Sequence, residues 1–197
     1  MLVNIFSEPH MNGKLFIVAT PIGNLNDITY RAIETLKDVD MVLAEDTRHS
    51  KKLFTHFEIL TPLKAFHEHN ERAKTESIIS ELNSGISIAL ISDAGTPLIS
   101  DPGYFLVSHA KKEGIEVVPI PGPSAIITAL SASGLASNSF SFFGFLPPKK
   151  IARIKYLQNK TALNETIIFY ESPKRILATL NDMLKVFGDE RKVCLAK

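Results

Sequence analysis

Short, continuously apolar runs alternate along the chain with longer segments in which apolar residues recur every three or four positions. The apolar runs predict four strands buried on both faces, at 15–20, 41–45, 87–92 and 115–120. The spacing of the intervening segments predicts helices over 28–39, 75–83 and 104–113. Strands that alternate with helices in this way predict an α/β fold with mainly parallel sheets.

A stiff junction is predicted at residues 119–125, PIPGPSA, where three prolines and a glycine follow the fourth strand. The pattern therefore predicts two α/β domains, at 14–120 and 121–197, after a possible disordered extension at 1–13. Ser124 is predicted to cap a helix that runs to about residue 133. The elements predicted beyond it are a strand at 139–145, a helix in PPKKIARIKYLQNK and a strand at 165–171.

The last two elements are predicted from capping residues and from one apolar run. Ser172 is predicted to be the N-cap, and Pro173 the first residue, of a helix that ends at Phe187 before a glycine. The final run, RKVCLAK, predicts a strand that contains a buried Cys194. Because nothing follows to supply neighbours for this strand, we expect the second domain to be incomplete and the chain truncated.

Composition narrows the classes of protein that fit. With 197 residues, 45% of them apolar and 22% charged, the chain is typical of a soluble globular protein. A net charge of +1 provides no overall basic field, so a polyanion would need a local patch such as Lys149, Lys150, Arg153 and Lys155. The single cysteine rules out an internal disulfide and fits a reducing cytoplasm. No apolar run approaches the roughly 18 residues of a membrane span, so we expect no membrane partner.

Four loops rich in glycine, proline and acidic residues follow the predicted strands: TPIGNLNDIT, AEDTRHS, SDAGTPLISDPG and PGPSA. The carboxyl ends of parallel strands meet at one edge of a sheet, where ligands bind. Taken singly, these residues are equally typical of turns and helix caps. Gly23 stands alone behind a proline, so the first loop does not match the G-x-G-x-x-G pattern of a dinucleotide site, although Glu45 and Asp46 end the second strand. The chain also has no G-x-x-x-x-G-K-[ST] phosphate loop.

The residues between 15 and 176 carry a resemblance to a known family. The matching stretches are VATPIGNLNDIT, AEDTRHSKKL, FHEHNE, LISDAGTPLISDPG, PIPGPSAIITALSASGL, FGFLPPK and IFYESPKRI. On these stretches the chain resembles the tetrapyrrole methylase superfamily, and within it the ribosomal RNA small subunit methyltransferase I branch.

The resemblance implies a methyltransferase that uses S-adenosyl-L-methionine, held in a cleft between the two α/β domains. It also implies that the substrate is a cytidine of 16S ribosomal RNA, methylated on its ribose 2′-oxygen in the decoding region of the small ribosomal subunit. A homodimer in the cytoplasm is a further expectation from the family. Rigid loops of glycine and proline are compatible with this cofactor, because backbone groups can hold a zwitterion and an adenine without charged side chains.

The resemblance assigns site residues one by one. Those expected to contact the cofactor are Pro21, Gly95, Thr96, Pro97, Ile99, Ser124, Ala125, Phe145 and Leu146. Other cofactor contacts expected in the family's last third lie beyond Lys197. Residues expected to contact RNA are Arg48, His67, His69, Tyr170, Lys174 and Arg175. Lys174 replaces a histidine that family members usually carry, and a phosphate contact would survive that change. Tyr170 either stacks on a base or belongs to the core.

Methyl transfer to a ribose hydroxyl needs a group that accepts the hydroxyl proton. Asp46 is the first candidate because it follows a strand and is expected to project toward the cleft, and Glu45 and Asp101 are alternates. Arg48 would bind an RNA phosphate. The alternative interpretation makes Asp46 a helix cap and Arg48 a surface cation.

The segment FHEHNE crowds two histidines and two glutamates together. Structural zinc sites usually include cysteines, and the H-E-x-x-H pattern is absent, so we expect RNA contact or solvation here and no metal. Phe66 is expected in the core. Two alternatives to the RNA methyltransferase stay open: a tetrapyrrole C-methyltransferase that acts on a uroporphyrinogen or precorrin, and an inactive, truncated cofactor-binding module.

Overall fold

The computed structural model describes residues 12–197, which form two compact units divided between Ser124 and Ala125. Most of the predicted extension, residues 1–11, lies outside the described part of the chain. Its end does not: Gly13 is buried, and its backbone N–H donates a hydrogen bond of 2.7 Å to the carbonyl of Leu82.

The first unit contains a five-stranded parallel sheet with the strand order β3-β2-β4-β1-β5. Its strands are β1 (Leu15–Val18), β2 (Met41–Ala44), β3 (Leu63–Ala65), β4 (Ile88–Ile91) and β5 (Val117–Ile120). Its α-helices are α1 (Tyr30–Asp38), α2 (Thr47–His56), α3 (Glu71–Asn83) and α4 (Tyr104–Lys112), and a short 3₁₀ helix covers Leu25–Asp27. The predicted α/β class is confirmed.

Two elements of this unit were not predicted. β3 has only three half-buried residues and a lysine in its centre, so it lacks the apolar run that marked the other strands. The segment AEDTRHS was predicted as a loop, but α2 begins inside it at Thr47 because Asp46 caps the helix.

Helices cover both faces of the sheet. One apolar core contains Ala32 and Leu36 of α1 and Phe54 of α2. The opposite core contains Ile78 of α3 and Leu106 of α4. This two-sided covering explains why β1, β2 and β4 are continuously apolar.

The second unit contains α5 (Ala125–Ala132), β6 (Phe140–Phe145), α6 (Lys150–Gln158), β7 (Thr166–Tyr170) and α7 (Ile176–Phe187). β6 and β7 are parallel, with an irregularity between Phe142 and Phe145 where Gly144 has a φ of 62°. This single parallel pairing forms the second sheet. Within residues 12–197, no helix is long and apolar enough to span a membrane.

Three predictions in the second unit are wrong. α7 begins at Ile176 and not at Pro173, because residues 173–175 form a turn in which Ser172 O accepts from the backbone N–H of Arg175 and Ile176. The run RKVCLAK pairs with neither β6 nor β7 and is not a strand, so Cys194 is exposed. Arg153, predicted in a basic surface patch, is buried.

Arg153 is buried because it pairs with Asp182 of α7. Its Nη2 lies 2.7 Å from Asp182 Oδ2, and only 5% and 3% of the two side chains are exposed. The guanidinium also donates to the carbonyls of Pro147 and Pro148. Arg153 therefore fastens the loop after β6 to α7 and is not available to RNA.

Candidate functional site

The loop after β4 has an unusual backbone. Gly95, Leu98, Ser100 and Gly103 have φ values of 87°, 72°, 66° and 128°. Leu98 and Ser100 are two of only three non-glycine residues with positive φ between residues 12 and 197. Such backbone costs of order 1–3 kcal/mol per residue and concentrates at ligand sites, where the surroundings hold it in place. The loop therefore marks this end of the sheet as the candidate site.

The start of the loop is joined to the end of β1. The backbone N–H of Thr20 donates to Gly95 O at 2.9 Å, and the N–H of Gly95 donates to Thr20 O at 3.0 Å. Thr20 Oγ1 donates to Ser92 O at 3.1 Å, and Ser92 Oγ donates to Gly95 O at 3.1 Å. Both hydroxyls are buried, so these bonds hold the loop with little competition from water.

The segment 121–124 lies beside the same loop. Thr96 Oγ1 donates to Pro123 O at 3.1 Å. A Cβ at Gly122 would lie 2.9 Å from the Cβ of Ala19, so only glycine allows this close approach. Three separate stretches of the sequence that contain predicted cofactor residues therefore lie side by side. These residues are Pro21, Gly95, Thr96, Pro97 and Ser124.

The remaining predicted cofactor residues differ in their surroundings. Ile99 lies further along the same loop and is exposed. Ala125, Phe145 and Leu146 belong to the second unit, where Leu146 is buried and Phe145 is exposed.

Carboxylates crowd the same edge of the sheet. Burial and the negative charges of Glu45 and Asp93 together raise the pKa of Asp101 to about 6, and a hydrogen bond from the Ser92 hydroxyl partly offsets the shift. Burial and the charge of Asp93 also raise the pKa of Glu45, and the neighbouring His67 opposes that rise. Asp101 and Glu45 are therefore carboxyl groups that hold a proton more readily than usual.

Asp46 is in the opposite electrostatic state. Arg48 donates to it through its side chain and its backbone N–H, and these bonds hold the pKa of Asp46 well below its usual range. Arg48 Nη2 lies 2.8 Å from Asp46 Oδ2 while 87% of the arginine side chain is exposed. The pairing and the cap on α2 agree with the alternative interpretation of these residues. Such a carboxylate is a weak proton acceptor.

His67 follows β3 and is oriented by Asn70. The backbone N–H of His67 donates to Asn70 Oδ1 at 2.9 Å, and Asn70 Nδ2 lies 2.9 Å from His67 Nε2. Because the amide N–H donates, Nε2 accepts and the ring N–H is on Nδ1. Within residues 12–197, Nδ1 is buried without a hydrogen-bond partner. The ring of His69 lies 6.0 Å away, and His69 is exposed.

Glu71 and Asp93 are site residues that the sequence did not single out for these roles. Glu71 Oε1 accepts from the backbone N–H groups of Gly103, Phe105 and Leu106 at 3.1, 2.8 and 3.3 Å. Asp93 Oδ1 accepts from the backbone N–H of Asp46 at 3.1 Å. Both contacts join residues more than 30 positions apart, so no local pattern signals them. Among residues 12–197, no group of three or more His, Cys, Asp or Glu side chains is arranged to hold a metal ion.

In the second unit, Arg175 has partners within the protein. Its Nη2 lies 2.6 Å from Glu171 Oε1, and Nη1 donates to Leu146 O at 3.4 Å. Burial alone would raise the pKa of Glu171, but bonds from Thr179, the Ser172 N–H and Arg175 outweigh it and lower that pKa. Lys174 is exposed in the turn before α7. Tyr170 packs its ring 4.8 Å from Phe142 and 5.5 Å from Phe145.

Comparison with known proteins places these features in a family. Residues 14–197 match the family model described as Tetrapyrrole (Corrin/Porphyrin) Methylases. The chain is 58% identical over 183 residues to the ribosomal RNA small subunit methyltransferase I of Vibrio cholerae. The matched region covers 93% of this chain and 64% of that protein. It is 56% identical to the protein of the same name from Haemophilus influenzae, over 95% of this chain and 66% of that one. The chain thus spans slightly less than two thirds of the length of these two relatives.

Solved structures with lower identity share the fold. Diphthine synthase matches with a TM-score of 0.63 at 14% identity, over 82% of this chain and 66% of that one. Uroporphyrin-III-C-methyltransferase from Thermus thermophilus matches with a TM-score of 0.52 at 23% identity, over 68% of this chain and 64% of that one. At these identities the likeness concerns the fold alone.

Proposed function

Because this chain belongs to the tetrapyrrole methylase family, we propose that it takes part in S-adenosyl-L-methionine-dependent methylation of small-subunit ribosomal RNA. The finer proposal is transfer to the ribose 2′-oxygen of a cytidine in the decoding region of 16S ribosomal RNA. The observation that carries the broader proposal is the identity of 58% and 56%, over more than nine tenths of the chain, with proteins named ribosomal RNA small subunit methyltransferase I. The finer proposal rests on the family resemblance.

The cofactor supplies an electrophilic methyl carbon when it is bound. We assign its binding to the joined stretches of the first unit, Pro21, Gly95–Pro97 and Ser124, with Ile99 further along the loop. Support comes from the Thr20–Gly95 bridge and the bond from Thr96 to Pro123, which hold these stretches in one arrangement. Ala125, Phe145 and Leu146 complete the proposed set from the second unit.

We propose Asp101 as the proton acceptor for the ribose hydroxyl, with Glu45 as the alternate. A general base works best when its pKa lies near the working pH, and the pKa of Asp101 is raised to about 6. Asp46, the first candidate from the sequence, is instead proposed to position the start of α2 through its bonds with Arg48 and the Asp46 N–H bond to Asp93.

The proposed RNA contacts separate into available and occupied groups. Arg48 is paired with Asp46 but exposes most of its side chain, and His69 and Lys174 are exposed. His67 is half-buried, and its ring Nδ1 is buried. Arg175 is occupied by Glu171 and Leu146 O, so we propose that it positions Leu146 and contacts RNA only through its exposed part. Tyr170 is already packed against Phe142 and Phe145, which leaves stacking on a base to its remaining surface.

The test is methyl transfer from labelled S-adenosyl-L-methionine by this 197-residue chain to small ribosomal subunits that lack the modification. Nucleoside analysis is expected to give 2′-O-methylcytidine. Failure of this chain under conditions in which a full-length relative succeeds would contradict the proposal. Retention of cofactor binding by calorimetry would then indicate a binding module, and transfer to a porphyrinogen carbon would indicate a tetrapyrrole enzyme.

Two further parts of the proposal concern the setting of the reaction. A cytoplasmic location follows from the proposed ribosomal substrate. A homodimer follows from the family resemblance, and light scattering is expected to give twice the chain mass of 21.8 kDa. A monomeric mass would contradict the dimer and leave the methyl-transfer proposal standing.

A further inference from the structure

The starts of α3 and α4 are held together by one carboxylate. Glu71, the first residue of α3, accepts three backbone N–H bonds from the start of α4 through Oε1. A charged acceptor that receives several backbone donors forms strong, short-range bonds. Arg72 and Tyr104, which follow Glu71 and Gly103 in the sequence, adjoin this junction and are both exposed.

Arg72 and Tyr104 differ in the contacts that their exposed side chains make. Tyr104 is 76% exposed, and among residues 12–197 its hydroxyl has no hydrogen-bond partner. The Arg72 guanidinium carbon lies 5.3 Å from the centre of the Phe105 ring. Phe105 is in turn packed 4.1 Å from the His109 ring. The arginine of α3 thus lies against an aromatic ring of α4, and Tyr104, the residue before that phenylalanine, is exposed.

The side chains of Tyr104 and Arg72 are of the types that bind a nucleotide. An exposed tyrosine offers a flat face on which a nucleobase stacks, and a guanidinium binds a phosphate oxygen. Asp101 is also close to this junction in the sequence. It lies two residues before Gly103, whose backbone N–H donates to Glu71. A base stacked on Tyr104 would be bound three residues along the chain from Asp101, the carboxylate that we assign as proton acceptor.

We propose that Arg72 and Tyr104 form a binding site for single-stranded RNA, in which Tyr104 stacks on a base and Arg72 contacts a phosphate. The inference rests on the proposed function for its choice of partner and adds a pair of residues to the RNA-binding surface. An electrically balanced chain needs such placed contacts, because its net charge of +1 attracts RNA only weakly over distance.

The chain contains a matched pair for comparison. Tyr30 and Arg31 are the first two residues of α1, both are exposed, and Tyr30 is 88% exposed. α1 packs on the face of the sheet opposite to α3 and α4. Substitutions at Tyr30 and Arg31 therefore remove the same chemistry from a place where we propose no contact.

The test is the affinity of the 197-residue chain for a fluorescent single-stranded RNA oligonucleotide, measured by anisotropy at several salt concentrations. Tyr104→Ala is expected to weaken binding about tenfold, Tyr104→Leu nearly as much, and Tyr104→Phe less than twofold, because stacking needs the ring and not the hydroxyl. Arg72→Ala is expected to weaken binding and to lower the slope of log affinity against log salt by about 0.7, the value for one phosphate contact to a single strand.

Tyr30→Ala and Arg31→Ala are expected to change the affinity by less than twofold. The inference is overturned if the wild-type chain does not bind the oligonucleotide or if Tyr104→Ala and Arg72→Ala bind it as well as wild type. It is also overturned if Tyr30→Ala and Arg31→Ala lose as much RNA affinity as those two variants. RNA binding without methyl transfer would reject the proposed function and leave this site standing. Methyl transfer by the wild-type chain, together with unchanged RNA affinity in Tyr104→Ala and Arg72→Ala, would support the proposed function and reject this site.

Discussion

The two sheets of this protein are built from similar apolar runs but are buried to different degrees. All four residues of β4 are buried, because helices pack on both faces of the five-stranded sheet. All five residues of β7 are only half-buried. Two cavities of about 460 and 420 Å³ lie against β7 and α7. An apolar strand therefore reveals its tendency to be buried, whereas its actual burial depends on what surrounds the sheet.

The two units also use different means to hold their loops. In the first unit, buried hydroxyls and a backbone bridge fix the loop after β4. In the second, a buried ion pair from Arg153 to Asp182 fixes the loop after β6. The first arrangement is neutral and uses short side chains, while the second depends on two opposite charges that must both be present.

The largest expected effect compares matched isoleucines in the two sheets. Ile88→Ala in β4 is expected to lower the free energy of unfolding by about 4 kcal/mol, because it leaves a cavity in a closed core. Ile168→Ala in half-buried β7 is expected to cost about 1 kcal/mol. Urea denaturation followed by circular dichroism measures both, and equal losses would remove the distinction between the sheets.

The next effect tests the charge dependence of the second unit. Asp182→Ala leaves the Arg153 charge buried without a partner and is expected to cost about 3 kcal/mol, measured by urea denaturation. The control Glu116→Ala breaks the exposed pair with Lys14 and is expected to cost less than 1 kcal/mol. The combined change Arg153→Met with Asp182→Leu is expected to restore most of the stability. A double variant as unstable as Asp182→Ala would show that the charges themselves are not the cause.

A third effect concerns the acidic edge of the first unit. Asp101→Asn is expected to reduce the methyl-transfer rate about 100-fold, because it removes the proposed base. The wild-type rate is expected to rise with pH through about 6, the raised pKa of Asp101, and then to level off. The variant should lose this rise, and a pH profile unchanged from wild type would assign the base elsewhere.

Stability provides an independent readout of the same substitution. A raised pKa means that the folded state prefers protonated Asp101, so the wild-type protein loses stability as the pH rises from about 4 through about 6. Asparagine avoids this loss. After allowance for partial solvent screening, Asp101→Asn is expected to be about 1 kcal/mol more stable than wild type at pH 7 and no more stable at pH 3.

The smallest effect tests the hydroxyl bonds of the first unit. Thr96→Val removes the bond to Pro123 O and is expected to lower the free energy of unfolding by about 1 kcal/mol. It is also expected to weaken binding of S-adenosyl-L-methionine several-fold, measured by calorimetry. Thr128→Val on the exposed side of α5 is the control and is expected to change neither quantity. Unchanged cofactor affinity in Thr96→Val would separate this bond from the proposed cofactor site.

Much of the fold could be predicted because local spacing reflects it. Four strands of the first sheet were predicted within two residues of their ends, since each is an apolar run between polar segments. β3 was missed because an edge strand of three residues carries no such run. Ser172 and Pro173 looked like a helix start, but Glu171 accepts from the Ser172 N–H, and the chain turns before α7 begins at Ile176.

The candidate site was predictable in outline only. Parallel strands bring their following loops to one edge, so the sequence could place Gly95, Asp101 and Asp46 at the same end of the sheet. It could not tell Asp46 from Asp101 as a proton acceptor. That difference arises because Arg48 pairs with Asp46, whereas burial and the nearby Glu45 act on Asp101.

By itself, then, the sequence determined the α/β class, most of the strands, the order of the loops and the family to which the chain belongs. Only the tertiary structure decided which side chains have partners: Arg153 inside an ion pair, Cys194 exposed, and Glu71 joining two helix starts. The physical reason is the sequence distance over which each interaction acts. Apolar periodicity acts over a few residues and is written locally, whereas hydrogen bonds, burial and pKa shifts depend on residues that folding brings together from distant positions.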